Sequence, residues 1–240
     1  VSSGDAIVKT YPRQPWAEHL RTMEWRQGQH VFISAPTGAG KTTLVRPLLD
    51  KRQFVVCLFT KLKDPTIANE FKGYKRFNEW PRYGFKPSEN RVMIWPHPER
   101  SLAATKAKHR AVMRQAFDRI ANDGGWCVYV DELLYMTDNT YGNMPAEVGM
   151  LHYTGRSSGI SMVTCAQRPF HVPRIVLSSA THAYFARTYD AGDRKRLTEL
   201  GSIDSREVAY NFDHAIKGRH DFVYLNPQGN APSRIVNTRE

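Results

Sequence analysis

A glycine-rich segment at residues 35–43, APTGAGKTT, restricts the possible folds of this chain more than any other feature. An apolar run typical of a buried strand precedes it at residues 30–34, and a run typical of a helix follows from Leu44. A strand, a glycine-rich turn and a helix in this order form a phosphate-binding loop, because backbone N–H groups of the turn converge on one anion. Ala35 occupies the first position of the motif, where glycine is usual, and alanine is compatible with a negative φ. The segment therefore predicts a nucleoside triphosphate site.

The individual positions of this loop have separate predicted roles. Gly38 and Gly40 let the backbone turn sharply. Lys41 is expected to reach the β- and γ-phosphates, and the Thr42 hydroxyl is expected to contribute a ligand to Mg²⁺. The predicted cofactors are therefore ATP and Mg²⁺. The predicted nucleotide-binding residues are Pro36, Thr37, Gly38, Ala39, Gly40, Lys41, Thr42 and Thr43.

Two adjacent carboxylates follow another apolar run, at residues 126–130. Asp131 is the expected carboxylate on the Mg²⁺ side, paired with Thr42. Glu132 predicts hydrolysis in addition to binding, since a second carboxylate can polarise a water for in-line attack on the γ-phosphate. Small-molecule kinases with the same loop often lack this neighbour, because their substrate supplies the nucleophile. The alternative is a solvated acidic pair that opens a turn.

Gln167 follows a further apolar run, at residues 160–166. If this run forms a strand between those that lead to Lys41 and Asp131, the Gln167 amide points into the gap where the γ-phosphate and the attacking water would lie. We predict on this basis that Gln167 senses the γ-phosphate. Ligands of parallel sheets bind at the carboxyl ends of the strands, which is where all three polar features are expected.

The order of the runs predicts an α/β fold. Short apolar runs alternate with helical patterns, which indicates a mainly parallel sheet covered by helices on both faces. A β-hairpin is expected to close the chain. The predicted strands are residues 30–34, 54–59, 91–95, 126–130, 160–166, 182–186, 221–226 and 233–237, and the predicted helices include residues 16–26, 99–122, 145–153, 193–200 and 205–212. Residues 1–29 are expected to form an N-terminal lead with one helix, and residues 30–240 a single nucleotide-binding domain.

The composition restricts the partners and the compartment. The chain has 240 residues and a formal net charge of +11, which favours a polyanionic partner, either nucleic acid or an anionic membrane surface. No apolar run approaches the roughly 20 residues of a membrane span, so no membrane segment is expected in this chain. Cys57, Cys127 and Cys165 each lie in an apolar run, which suits buried reduced thiols better than a disulfide set or a zinc site. We expect a reducing, cytoplasmic location.

Residues 71–86 interleave basic and aromatic side chains and show neither a helical nor a strand pattern. We interpret them as an insertion or a long loop. Their basic groups could track phosphates while their aromatic rings contact bases or sugars. The rings could equally form a small satellite core or a subunit contact.

The segment at residues 155–169, GRSSGISMVTCAQRP, resembles the stretch that characterises the FtsK/HerA superfamily of DNA-pumping ATPases. Residues 221–229, DFVYLNPQG, are similar to the closing strands of that superfamily. The resemblance extends over about residues 31–236 and implies a RecA-like core of the ASCE P-loop NTPase class. It also implies a homo-oligomeric ring, a pentamer or a hexamer, that couples ATP hydrolysis to translocation of double-stranded DNA. A basic core without a visible membrane part is most similar to the viral genome-packaging ATPases.

This resemblance implies further partners and site residues. A viral member would act in the host cytoplasm and dock on a capsid portal protein. Such rings complete each site with an arginine from the neighbouring subunit, worth about 10³–10⁵ in rate in related phosphoryl transfer. Arg156 matches the arginine used in packaging motors and is our preferred candidate, whereas Arg194 falls near the one used in chromosome-partitioning members. The charges of Lys61, Lys63 and Asp64 depart from the family order, so the resemblance assigns no role to these lysines.

Other functions fit part of the sequence. A conjugation or chromosome-segregation DNA pump of the same superfamily would share the site residues. A P-loop kinase that phosphorylates a small molecule would leave Glu132 and Gln167 without a role. A nucleotide-gated DNA-binding scaffold would bind ATP with negligible turnover. In the preferred interpretation, the candidate catalytic residues are Glu132, Lys41, Arg156, Gln167 and Arg194, and the candidate metal ligands are Thr42 and Asp131.

Overall fold

One mixed sheet organises the residues that this computed structural model describes, which are 8–197, 200, 204–229 and 231–240. Its strands are β1 (Arg13–Pro15), β2 (His30–Ser34), β3 (Val55–Leu58), β4 (Lys75–Phe77), β5 (Arg91–Ile94), β6 (Cys127–Val130), β7 (Ser161–Ala166), β8 (Ala180–Phe185), β9 (Asp221–Leu225) and β10 (Arg234–Asn237). Parts of three predictions lie outside the described residues: residues 1–7 of the lead, residues 198–199 of the helix at 193–200, and Asn230 of the hairpin turn.

Helices cover both faces of this sheet. They are α1 (Trp16–Thr22), α2 (Lys41–Asp50), α3 (Pro65–Glu70), α4 (Leu102–Asp123), α5 (Leu133–Thr137), α6 (Pro145–Thr154), α7 (Arg174–Ser179), α8 (Ala191–Leu197) and α9 (Ser205–His214), with a 3₁₀ turn at Pro169–His171. Neighbouring strand residues point to opposite faces, so Phe32 packs in the cluster that contains α4 and Ile33 packs in the one that contains α2. Burial of each such side chain stabilises the fold by about 1.5–3 kcal/mol.

The strand order places the predicted polar residues on one edge. Across the sheet it is β1-β10-β9-β8-β2-β7-β6-β3-β5-β4. The strands from β8 to β4 run parallel, and β9 is antiparallel to both β8 and β10. β7 lies between β2 and β6, which is the position that the predicted role of Gln167 requires. The predicted mainly parallel sheet and closing hairpin are thus confirmed.

Local chemistry sets the ends of the helix that leads to β6. Ser101 begins α4 by accepting a hydrogen bond from the Ala104 backbone N–H. Gly124 ends it with a φ of 65°, which glycine adopts at little cost. The chain then enters β6, which carries Asp131 to the carboxyl edge.

Residues 71–86 differ from the predicted insertion. Residues 75–77 form β4, which pairs in parallel with β5 and extends the main sheet. Phe71, Tyr74 and Trp80 are buried in the two core clusters, whereas the Tyr83 side chain is 90% exposed. A three-residue strand has too few positions to show an alternating pattern, so no strand was predicted here. Most of the aromatic rings therefore serve the core.

Two further expectations concern the N-terminal helix and the cysteines. The helix expected over residues 16–26 ends at Thr22, because Met23 has an extended backbone. Cys57, Cys127 and Cys165 are buried and free. None of the helices in the described part of the chain is long and apolar enough to cross a membrane.

Candidate functional site

The predicted phosphate-binding loop joins β2 to α2 at the carboxyl edge of the parallel strands. Gly38 has a φ of 78° and Gly40 a φ of 97°, a left-handed backbone that other residues rarely adopt. Gly40 is the N-cap of α2, so free N–H groups of the first helical turn face the loop. Among the residues described, Asn143 is the only non-glycine with a positive φ, so Ala35 fits the first position of the motif.

The Lys41 side chain folds back over the loop. Its Nζ donates to the carbonyl oxygen of Ala35 at 2.5 Å and to that of Pro36 at 3.3 Å. Thr42 is half-buried beside it, and Thr43 is exposed. The loop thus combines inward-facing N–H groups with a cation, which is the arrangement that anion binding requires.

Asp131 is buried at the same edge, directly after β6. The Tyr129 hydroxyl donates to Asp131 Oδ1 at 2.7 Å, and Lys61 Nζ lies 2.9 Å from Asp131 Oδ2. Lys61 also bonds Asp64, whose side chain caps α3. Lys61, to which the sequence pattern assigns no role, therefore supplies a cation to the predicted metal ligand.

Glu132 and Gln167 are in direct contact. Gln167 Nε2 donates to Glu132 Oε2 at 3.0 Å, because β6 and β7 are neighbours that end at the same edge. The other carboxylate oxygen, Oε1, is buried and has no hydrogen-bond partner among the described residues. Burial raises the pKa of Glu132 and Asp131 adds to the increase, while Gln167 and Lys41 oppose it. A raised pKa makes a carboxylate a better general base.

Two cavities flank these side chains. One, of about 640 Å³, is lined by Glu132 and Gln167 together with α5 and the segment that follows it. The other, of about 350 Å³, is lined by Gln167, Ala35 and Pro36 together with residues that follow β8. Gln167 therefore borders both the space beside the phosphate-binding loop and the space beside Glu132.

Arg156 lies at the opposite, amino edge of the sheet. It belongs to the turn at residues 155–159, which joins α6 to the start of β7. Its exposed side chain makes no hydrogen bond or ion pair with any other described residue. The turn itself is closely packed, since a Cβ on Gly28 would lie 2.8 Å from Arg156 O and one on Gly124 would lie 2.8 Å from Ser158 O. Because β7 spans roughly 20 Å, this guanidinium is remote from the loop of its own chain.

Arg194 is engaged within the chain. Its Nη2 lies 2.5 Å from Asp213 Oδ1, and its Nε donates to the Thr188 carbonyl oxygen at 3.0 Å. These contacts tie α8 to α9 and to the segment that follows β8. The geometry gives Arg194 a stabilising role and leaves Arg156 as the candidate with an unused guanidinium.

The structure brings one further segment, residues 217–220, to the phosphate-binding loop. Arg219 Nε donates to the Gly38 carbonyl oxygen at 3.0 Å. β9 is antiparallel to β8, so the residues before β9 lie at the carboxyl edge of the parallel strands. The predicted hairpin did not place this segment, because it fixes the direction of β9 relative to β10 and not relative to β8.

The donor set fits Mg²⁺. Thr42 and Asp131 offer hard oxygen ligands, and Mg²⁺ commonly takes one or two carboxylates together with substrate phosphates. The contact of Lys61 with Asp131 shows that this carboxylate accepts a cation. In the described ranges, no group of three or more His, Cys, Asp or Glu side chains could hold a metal ion. The arrangement suits a cation that arrives with a nucleotide.

The fold is similar to solved structures that match most of this chain. For the genome packaging NTPase B204 of Sulfolobus turreted icosahedral virus 2 in complex with sulfate, the TM-score is 0.64 and the identity 14%, over 89% of this chain and 98% of that one. For the same NTPase in complex with AMPPCP, the TM-score is 0.60 and the identity 15%, over 86% and 96%. For VirB4 of Thermoanaerobacter pseudethanolicus, the TM-score is 0.63 and the identity 9%, over 87% and 88%.

No protein-family model matches the sequence, and no curated protein matches it. The structural likeness covers most of this chain. The predicted α/β, RecA-like P-loop NTPase architecture is therefore confirmed.

Proposed function

We propose that this chain is an ATP-hydrolysing motor that translocates double-stranded DNA as a homo-oligomeric ring, in the manner of a viral genome-packaging ATPase. The fold is shared with an NTPase described as a genome packaging protein, and that protein has been solved with AMPPCP. The net charge of +11 suits a DNA backbone as the partner. Such a protein would work in the host cytoplasm, with a capsid portal protein as a further partner.

One observation carries the proposal of hydrolysis, namely the hydrogen bond of Gln167 to Glu132 beside the phosphate-binding loop. A kinase needs neither side chain, because its substrate supplies the attacking oxygen. Here the bond occupies Glu132 Oε2 and leaves the buried Oε1 without a partner. Oε1 is therefore the oxygen whose acceptor capacity the described residues leave unused.

Each residue of the site has a separate role in this proposal. Lys41 and the N–H groups of residues 36–43 bind the β- and γ-phosphates. Glu132 Oε1 accepts a proton from a water as that water attacks the γ-phosphorus, the bond from the γ-phosphorus to the bridging oxygen breaks, and ADP leaves with that oxygen. Gln167 holds the carboxylate in orientation. Thr42 and Asp131 would hold Mg²⁺, which neutralises charge on the phosphate oxygens when bound.

The proposal places a neighbouring subunit at each site. Arg156 is exposed, unpaired within the described chain and at the far edge of the sheet, so it can serve only the site of another copy. A pentamer or a hexamer would bring each Arg156 to the next subunit's loop. The arginine would stabilise the charge that develops on the transferred phosphoryl group.

The experiment that tests this function measures phosphate release with and without duplex DNA at several salt concentrations, with the particle mass determined in the same buffer. We expect turnover that DNA stimulates, loss of this stimulation at high salt, and a mass of five or six chains. Lys41→Ala should abolish turnover in the same assay. Full turnover by a monomer without DNA would contradict the motor and favour the small-molecule kinase.

A further inference from the structure

Residues 217–220 pack closely against the phosphate-binding loop. Arg219 Nε donates to Gly38 O at 3.0 Å, and a Cβ on Gly38 would overlap the Arg219 guanidinium. A Cβ on Gly40 would lie 3.0 Å from His220 Nδ1 and 3.3 Å from Thr238 Oγ1. Both glycines therefore provide room for this segment in addition to the turn of the loop.

A buried carboxylate holds the segment in place. Asp221 is 1% exposed and accepts hydrogen bonds from the backbone N–H groups of Lys217 and Gly218, both at 2.8 Å. Arg13 Nη2 and Asn237 Nδ2 donate to its Oδ1, each at 2.8 Å. Burial would raise the pKa of Asp221, but the hydrogen bonds from Arg13 and from the two amides outweigh burial, so its pKa lies below the ordinary value.

Two polar groups of this region have unused hydrogen-bonding capacity. The Thr238 hydroxyl is buried without a partner in the described chain and lies beside Gly40. Arg219 is exposed, and its Nη1 and Nη2 have no hydrogen-bond partner among the described residues, since the bond to Gly38 uses Nε. A guanidinium fork of this kind matches phosphate oxygens, often through two parallel bonds.

We propose that residues 217–220 form a second wall of the nucleotide site, and that Arg219 binds the phosphate chain of the nucleotide held by the same subunit. This inference rests on the nucleotide site of the proposed function. It assigns two arginines to each site: Arg219 from the subunit's own chain and Arg156 from a neighbour. Asp221 is a positioning residue, because it fixes the backbone that presents Arg219.

The test measures the affinities of ATP, ADP and AMP for the intact chain by titration calorimetry. Arg219→Gln should weaken both ATP and ADP by about 10- to 100-fold, the range of a charge-assisted hydrogen bond, and leave AMP nearly unchanged. The ATP and ADP affinities of Arg219→Lys should lie between those of the unmodified chain and those of Arg219→Gln, because lysine keeps the positive charge and lacks the guanidinium fork. Arg21→Gln is the matched control, since it removes one exposed positive charge from α1, outside this segment, and should change no affinity.

Lys41→Ala separates failure of this inference from failure of the proposed function. If Lys41→Ala weakens ATP while Arg219→Gln does not, the nucleotide site stands and the role of Arg219 is refuted. If Arg219→Gln weakens AMP as much as ATP, the residue supports the loop and does not read the phosphate chain, which also refutes the inference. If neither variant affects ATP, the nucleotide site itself is wrong.

Discussion

The two edges of the sheet carry different kinds of polar residue. At the carboxyl edge, Glu132 and Gln167 border open cavities and are hydrogen-bonded to each other. The positive charge of Lys41 acts on Glu132 from the phosphate-binding loop. Towards the amino edge, β2 begins with His30 and β8 carries His182 as its third residue, and both histidines are buried. Burial lowers the pKa of His30 to about 4 and that of His182 to about 3.

The carboxyl edge therefore carries groups suited to chemistry, and the amino edge carries groups that contribute to packing. The charged groups of the site lie where a ligand can reach them, whereas the two buried histidines are stable in their positions only while uncharged. We therefore expect variants of the carboxyl edge to lose turnover without losing stability. Changes to the amino edge should do the reverse, with Arg156 as the one exception.

Arg156 provides the sharpest test of this comparison, because it lies at the amino edge yet should control turnover. Arg156→Ala should reduce steady-state hydrolysis by about 10³–10⁵-fold while ATP affinity and melting temperature stay unchanged. Mixing Arg156→Ala chains with Lys41→Ala chains should restore part of the activity, since some interfaces then combine an intact loop with an intact arginine. Absence of any recovery would remove Arg156 from the shared site.

Arg194→Ala is the matched control for Arg156. It should alter turnover by about tenfold or less and reduce stability instead, because it breaks the ion pair with Asp213.

Glu132→Gln tests the carboxyl edge. It should reduce hydrolysis by about 10²–10⁴-fold, because the amide cannot accept the proton of the attacking water. ATP binding should persist, since the phosphate contacts remain. Glu79→Gln changes an exposed glutamate outside the site and should leave the rate unaltered. An unchanged rate in Glu132→Gln would eliminate the proposed general base.

Acidification tests the buried histidines and should lower stability and not turnover. The folded pKa values of His19, His30 and His182 lie near 3, 4 and 3, below the 6.5 of an unfolded histidine. The unfolded chain therefore binds protons first, so stability falls as the pH drops below 6.5, by on the order of 2 kcal/mol per histidine at pH 5. The three histidines together lose about 6 kcal/mol, so at about 2–4 °C per kcal/mol we expect the melting temperature to fall by roughly 10–25 °C between pH 7 and pH 5.

The control for this prediction compares how far the melting temperature falls between pH 7 and pH 5 in two substituted chains. His182→Asn should reduce the difference in melting temperature between pH 7 and pH 5, whereas His97→Asn, at an exposed site, should not. A melting temperature that is independent of pH would show that these histidines take up protons as readily in the folded chain as in the unfolded chain, which contradicts their lowered pKa values.

The sequence predicted the features of the site that follow from a single strand and the residues after it. The loop at residues 35–43, the pair Asp131 and Glu132, and Gln167 each follow an apolar run, and parallel pairing brings such ends together. The position of β7 between β2 and β6 entered as a condition, and the structure satisfies it.

The features that the sequence did not predict depend on contacts between distant residues. Lys61 reaches Asp131 only because β3 pairs with β6, and Arg219 reaches Gly38 across 181 positions of the chain. Neither contact leaves a periodic pattern in the sequence, since each depends on one side chain and on the strand order. β4 was not predicted for a different reason, because a strand of three residues is too short to show an alternating pattern.

β7 also has a mechanical consequence. Gln167 follows its last residue, and the turn that bears Arg156 precedes its first. Gly28 packs closely against Arg156 and Gly124 packs closely against Ser158 in that turn. The strand and its two ends therefore form one stiff connector. In a ring, any shift imposed at Gln167 when the γ-phosphate departs would be transmitted along this connector to the arginine that serves the adjoining subunit. Successive ATP hydrolysis at neighbouring sites would then need no hinge, because one rigid central strand connects them.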